Sequence, residues 1–479
     1  HKTHPVRFLT ISDNDMLCYG YDGDIYVKNG NSQSRKLDIT LKSDNSANDI
    51  AVLTVSGGAD NDVSGDGKQI AFINRGEVFV TSTEYNTVKQ ITHTPAAESD
   101  VVFSPDGKTL AYASEREGIW NIYTAVLVNK EDISFPYATL VEEKPLFKNN
   151  KVDRRAPVYS PDGKELAYIE NRDRLMIMNL ESGKTRQITD GSCCFSTTGS
   201  FSYSWSPDGK WITMSCCANG HYPYEDIVIV STEGGKPLID ITNSGYTDSS
   251  PQWVLGGNAI LFKSERYGMR NHASWGTLED VMIVFMNRKA YDDFRMTKEQ
   301  KELEKEIAEL YKSEDKSTSD DKKKEDIVIE TDGIEDRIMR LTPSSADLGS
   351  ATLSKDGDYL YYQAAYEGGM NLWKYDIKEG TPSKIGPSKG YMKWDSKHKN
   401  LYVLGTSFSK MKDGAKSLDK ISVKTELKMD RAAEREYMFN HVYRQEKERF
   451  YNEKMHGVDW EMLTAAYRKF LPYINNNYD

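Results

Sequence analysis

Short apolar runs separated by polar turns fill this chain up to about Lys428. Val101-Val102-Phe103 leads into the turn Ser104-Pro105-Asp106-Gly107-Lys108, and Leu110 and Tyr112 follow at alternate positions. The same order returns at Ser160-Pro161-Asp162-Gly163-Lys164, followed by Leu166 and Tyr168, and at Ser206-Pro207-Asp208-Gly209-Lys210, preceded by the run from Phe201 to Trp205. In such a turn proline sets φ at the second position, aspartate caps its own backbone, and glycine accepts a positive φ at the exit. Apolar alternation on the far side predicts a hairpin of half-buried strands.

The turn repeats along the chain. Weaker copies are Ser64-Gly65-Asp66-Gly67-Lys68 and Ser354-Lys355-Asp356-Gly357, and degenerate ones begin at Ser12, Val254 and Asp395. A third strand follows each hairpin, as at 77–80 and 121–123. A fourth ends in a recurring tag: Gln90-Ile91-Thr92, Gln187-Ile188-Thr189, Asp240-Ile241-Thr242 and Arg340-Leu341-Thr342. Four strands in a unit of roughly 40–50 residues make the blade of a β-propeller. Unrelated hairpins in a sandwich would not recur in phase. The expected fold is therefore all-β, a seven-bladed β-propeller of four-stranded blades over residues 46–428 with a short α-helical C-terminal segment. Residues 1–45, set apart by a polar stretch, form either the remnant of a preceding propeller or an extra blade. Ile50-Ala51-Val52-Leu53-Thr54-Val55 is expected to complete the last blade, so that no edge stays open.

Two stretches break the pattern. The spacing from Val254 to Ser354 is too long for one blade and implies an insertion at about 285–330. Within it Leu303, Ile307 and Leu310 recur at i, i+4 and i+7, which predicts an amphipathic helix starting near Thr297. Residues 312–324 hold no apolar side chain and read as a mobile loop, either solvated filler or a lid or docking arm. After Lys428 the turn residues vanish. Residues 429–450 contain neither Gly nor Pro and predict a helix. Asp459 is a good cap for a second helix, with Trp460, Leu463, Tyr467 and Leu471 on one face and Pro472 at its end. Two helices cannot make a core alone, so a partner structure is expected for them.

The segment Met429-Asp430-Arg431-Ala432-Ala433-Glu434-Arg435, then Arg449-Phe450-Tyr451 and His456-Gly457-Val458-Asp459-Trp460, resembles the start of the core domain of tricorn proteases. These are serine peptidases related to the tail-specific, carboxyl-terminal-processing class. The Pro-Asp-Gly blades resemble the same family's TolB-type propellers, so the likeness covers essentially the whole chain. It implies that 1–45 is the end of a six-bladed ring, 46–428 a seven-bladed ring, and 429–479 the truncated helical start of the peptidase core. The family's catalytic Ser–His pair and its nucleophile would lie beyond Asp479, and His456 falls in a structural loop. What the resemblance implies is the substrate-gating or channelling portion of a peptidase that degrades peptides. No catalytic, cofactor-binding or metal residue is assigned to this chain, and no cofactor is expected. The implied partners are peptide substrates in the propeller channel, the rest of the peptidase core, and a homo-oligomer. A periplasmic or exported location is implied, with the cytoplasm as the alternative. The competing reading is a TolB-like protein-binding propeller without peptidase activity. A prolyl-oligopeptidase-type propeller is a third, but it would have to lead into a nucleophile elbow after Lys428.

Composition narrows the partners. The formal net charge is −11 and no basic stripe occurs, which argues against nucleic acid. No run of 18 apolar residues is present, so no segment reads as a membrane helix. The start at His1, without Met or a signal-like stretch, reads as a mature form, an expressed piece or a cleaved piece. Five cysteines are an odd number for a disulfide framework. Cys193-Cys194 and Cys216-Cys217 leave free thiols, one disulfide, or a metal site without the usual Cys-x-x-Cys spacing as alternatives. Gly386-Pro387-Ser388-Lys389-Gly390 fits the letters of a nucleophile elbow but has no helix after it. His221 lies near Cys216 and Cys217, whereas His93, His272 and His398 read as loop or turn residues. Glu115-Arg116 and Glu265-Arg266 hold equivalent places in their units and read as ion pairs between blades.

Overall fold

In the computed structural model, which describes residues 5–40, 50–193, 201–220, 222–270, 276–312, 326–366, 368–474, 476 and 478, each repeat turn is closed by one set of hydrogen bonds. Ser104 Oγ donates to Asp106 Oδ1 at 2.6 Å, and that oxygen also accepts from Lys108 N at 3.0 Å. Thr109 N in turn donates to Ser104 Oγ at 3.0 Å. The pattern recurs at Ser64, Ser160, Ser206 and Ser354. At the degenerate copy Asp395 takes the serine's place, accepting from Lys399 N at 2.8 Å and Asn400 N at 3.0 Å. The glycine of each proper copy, such as Gly107 at φ 71°, supplies the left-handed exit.

These turns join the first two strands of seven four-stranded antiparallel sheets, which lie in one compact unit spanning residues 54–426. Numbered along the chain, sheets 1 to 7 begin with the inner strands Ala59–Val63, Glu98–Phe103, Arg154–Tyr159, Tyr203–Trp205, Asp248–Val254, Leu348–Leu353 and Tyr391–Trp394. Strand order within every sheet follows the chain. The second strands, and the third strands of sheets 1, 4 and 5, are buried on both faces rather than half-buried. In sheet 2, Leu110 and Tyr112 pack toward sheet 1 while Ala111 and Ile122 pack toward sheet 3. Apolar layers of this kind fill every gap from sheets 1–2 to sheets 6–7. The period-2 pattern therefore sorts residues between two neighbours, not between core and water.

The tags have a structural cause. The Thr92 hydroxyl donates to Glu77 Oε2 at 2.5 Å and accepts from Val78 N at 2.8 Å. Thr242 joins Asp226 and Ile227 N in the same way, and Thr342 joins Asp280 and Val281 N. In sheets 1, 4 and 5 a buried carboxylate at the head of the third strand is thereby satisfied by the end of the fourth.

Sheet 7 meets sheet 1 through side chains and turns. Tyr402 Oη donates to Gly67 O at 2.7 Å, Ser396 N to Gly65 O at 2.8 Å, and Asn61 Nδ2 to Gly405 O at 3.0 Å. Phe72 and Phe408, both fully buried, pack with ring centres 5.3 Å apart. Ile50–Val55 does not complete sheet 7 as expected, because that sheet's edge is already filled by its own Asp419–Ile421. Ile50–Val55 pairs instead with Thr425–Asp430 in a separate two-stranded sheet.

The insertion of sheet 5 starts with α1 (Arg288–Arg295), which the sequence reading missed, and continues as α2 (Lys298–Lys312). Asn287 caps α1 by accepting from Ala290 N at 2.9 Å, and Phe294 is buried in the layer between sheets 5 and 6. The predicted loop at 312–324 lies almost wholly outside the described residues.

The second unit comprises residues 1–53 and 427–479. Its N-terminal part is a complete four-stranded sheet whose first strand, Arg7–Ile11, is exposed throughout. Its C-terminal part holds α3 (Arg431–Arg449), capped by Asp430, and α4 (Trp460–Arg468), capped by Asp459. The Tyr443 and Trp460 rings stack at 6.3 Å, and Arg468 pairs with Glu436 at 2.9 Å. No residue of either helix is buried. Helix α4 ends at Arg468, earlier than predicted, with a 3-10 turn at Leu471–Tyr473, because Pro472 has no N–H to donate to the Arg468 carbonyl.

Candidate functional site

The inner strands share a feature that their sequences conceal. Pairing with the second strand slips between Ala59 and Asp62, Ser99 and Val102, Arg155 and Val158, Ser249 and Gln252, and Leu348 and Ala351. Each slip is a β-bulge, which leaves residues outside the ladder and re-aims them. Asp60, Asp100, Ala156 and Ser250 sit at these bulges with φ between 43° and 58°. The bulge residues line a cavity of about 900 Å³, to which all seven inner strands or their flanks contribute.

Hydrogen bonds link the bulges of successive sheets. Asp60 Oδ2 accepts from Asp100 N at 3.5 Å, and Asp100 Oδ2 accepts from Ala156 N at 3.2 Å and Arg155 Nε at 3.3 Å. The Arg155 guanidinium also lies over the Trp120 ring, 4.4 Å from its centre. Asp62, buried beside the cavity, accepts from Phe103 N at 2.9 Å and bonds Lys393 of sheet 7. One arc of the wall is thus acidic and stitched. Burial, then the neighbouring Asp100 carboxylate, raises the Asp60 pKa above the usual range. Further along the wall Ser202, Ser250 and Gln252 present neutral polar groups beside Phe201 and Tyr203, and Lys263, Asp347 and Lys389 also line it. No histidine or cysteine occurs among the described residues of the lining. The wall, polar and bounded by inner strands, can hold an extended polar chain.

The residues singled out in the sequence lie elsewhere. Ser388 follows the strand Thr381–Pro387, and its hydroxyl accepts from Gln363 Nε2 at 3.0 Å, with no helix after it. His456 packs against Tyr451 and Phe450 in the C-terminal unit. His398 stacks on Trp394 at 5.7 Å, and burial and Lys355 lower its pKa, while His93 is an exposed loop residue. His221, His272 and Cys194 lie outside the described residues. Cys193 and Cys216 are buried in the layer between sheets 3 and 4, and Cys217 N donates to Cys193 O at 2.9 Å. Among the described residues no group of three His, Cys, Asp or Glu could hold a metal ion. The arginines of the two Ser-Glu-Arg copies pair within their own sheets. Arg116 pairs with Glu98 and Glu143 of sheet 2 at 3.0 Å each, and Arg266 with Asp248 of sheet 5 at 3.6 Å. The bulge residues were missed because a register slip leaves no mark in the hydrophobic pattern of a single strand.

Stacked four-stranded sheets with inner strands around a cavity, followed by short helices, define an all-β protein of propeller type. Residues 431–479 match the family model of the tricorn protease C1 domain. The fold of the chain is similar to the crystal structure of the tricorn protease, with a TM-score of 0.72 and 15% identity over 100% of this chain and 45% of that one. The chain is tricorn-like, and it spans 45% of the length of the tricorn protease it matches. Other similar structures are TolB from Acinetobacter baumannii (TM-score 0.38, 14% identity, 79% of this chain and 80% of that one) and a putative TolB from Agrobacterium tumefaciens (TM-score 0.34, 21% identity, 48% and 77%). No curated protein sequence matches the chain.

Proposed function

We propose that this chain is the propeller portion of a tricorn-like serine peptidase, gating peptides toward a catalytic core and performing no hydrolysis itself. In this reading the seven sheets close into a seven-bladed ring, residues 1–45 belong to another propeller, and residues 429–479 begin the core domain, which they join as a partner. The observation that carries it is the cavity of about 900 Å³ bounded by inner strands and lined by polar groups of both charges. The C1 match at 431–479 supports the peptidase context. Periplasmic or exported action is proposed on the resemblance alone.

The test uses a fluorescently labelled unfolded peptide and a fluorogenic peptide substrate. The purified chain should release no fluorophore, and it should bind the labelled peptide weakly, near the millimolar end of the affinity scale at about −4 kcal/mol. Ser202→Trp, which adds bulk at the neutral groups of the wall, should weaken that binding. Hydrolysis by the chain alone, or binding indifferent to Ser202→Trp, would overturn the reading.

A further inference from the structure

Helix α2 is moored near its start. Lys301 Nζ pairs with Asp358 at 2.8 Å and Lys298 Nζ with Glu379 at 2.6 Å, both on sheet 6. Lys378 Nζ holds the preceding turn by donating to Met296 O at 2.6 Å and to Phe294 O. Beyond its first turn α2 carries its apolar stripe outward: Leu303 is 56% exposed, Ile307 45% and Leu310 73%. A 15-residue helix gains little from propensity alone, so an amphipathic face left this exposed is a face suited to a partner.

The spacing identifies what fits. Leu303, Ile307 and Leu310 are four and then three residues apart, the d, a, d positions of a heptad, with β-branched Ile at a and Leu at d as two-stranded pairing prefers. Glu304 then falls at e, and Glu299 and Glu306 at g. A second copy of the chain is disfavoured in either orientation. Parallel pairing would set Glu299 of one helix against Glu304 of the other, and antiparallel pairing would set Glu299 against Glu306. We propose that α2 is a docking helix for a partner protein presenting an apolar helical seam rimmed by lysine or arginine.

The probe is a three-heptad synthetic helix with Ile at a, Leu at d and Lys at e and g, compared with the same helix carrying Glu at e and g. The full chain should bind the Lys helix roughly tenfold or more tighter than the Glu helix, with affinity falling as salt rises. Ile307→Asp, at an exposed position that leaves the fold intact, should abolish binding of the Lys helix. The triple variant Glu299→Lys, Glu304→Lys, Glu306→Lys should reverse the preference. The proposal fails if neither helix binds, if Ile307→Asp leaves binding unchanged and so reveals mere attraction to an acidic protein, or if ultracentrifugation shows the chain pairing with itself through Ile307.

Discussion

Glu98 stands at the start of the inner strand of sheet 2, buried, with its carboxylate accepting from Ser114 Oγ at 2.8 Å and Arg116 Nη2 at 3.0 Å. Burial penalises the charged form more than these donors return, and its pKa is pushed up to about 8 from 4.5. The folded chain therefore holds a proton that the unfolded chain has lost between those two values. The stability it contributes is complete below the unfolded pKa and declines as pH rises through the folded one. Urea midpoints should consequently fall between about pH 5 and about pH 8, and Glu98→Gln should flatten that fall. Arg116 keeps Glu143 in the variant, so the substitution does not strand a cation. An equal decline in both proteins would show that other groups set the slope.

Sheets 1, 3, 4 and 5 are each finished by a threonine that accepts from the backbone at the head of the third strand. Thr92, fully buried, satisfies at once the Glu77 carboxylate and the Val78 amide. Thr92→Val keeps the shape and removes both bonds, leaving a buried acceptor and a buried donor in deficit. The expected cost is about 1–3 kcal/mol, read as a lower urea midpoint with unchanged slope; a shift no larger than that of an exposed threonine such as Thr139 would refute this role. The contrast shows what was legible in the sequence. The turns were visible because proline, aspartate and glycine each do a local job there, and the tag was visible as a repeat. Its cause was not, because Glu77 and Thr92 meet only when strands three and four pair. The burial of both faces was read as half-burial because alternation looks the same whether the second face meets water or another sheet. Helix α1 escaped notice because only Phe294 of its residues is buried, too few for a period. The cavity wall escaped because bulges at Asp60, Asp100 and Ser250 arise from pairing register, which no single strand encodes.

At the scale of the molecule the junction of sheets 7 and 1 differs from a ring latched by a shared strand. Ile50–Val55 lies in another sheet, so the two ends of the proposed ring meet through contacts that include the Tyr402–Gly67, Ser396–Gly65 and Asn61–Gly405 hydrogen bonds, the Asp62–Lys393 pair, and the packing of Phe72 on Phe408. Every other gap is filled by a continuous apolar layer between sheets that follow one another directly in the chain, so separating them gains little freedom. Opening the 7–1 junction releases the two ends of the unit, and the loop-closure entropy regained there favours opening at this seam first. Phe408→Ala removes a fully buried ring from the seam and should cost about 3–5 kcal/mol. If the ring is closed here, amide exchange should accelerate in the strands of sheet 1 as well as sheet 7, while sheets 3 and 4, on the far side, keep their protection. Acceleration confined to sheet 7 would mean that sheet 1 draws no stability from it, and the closed seven-bladed ring would have to be given up.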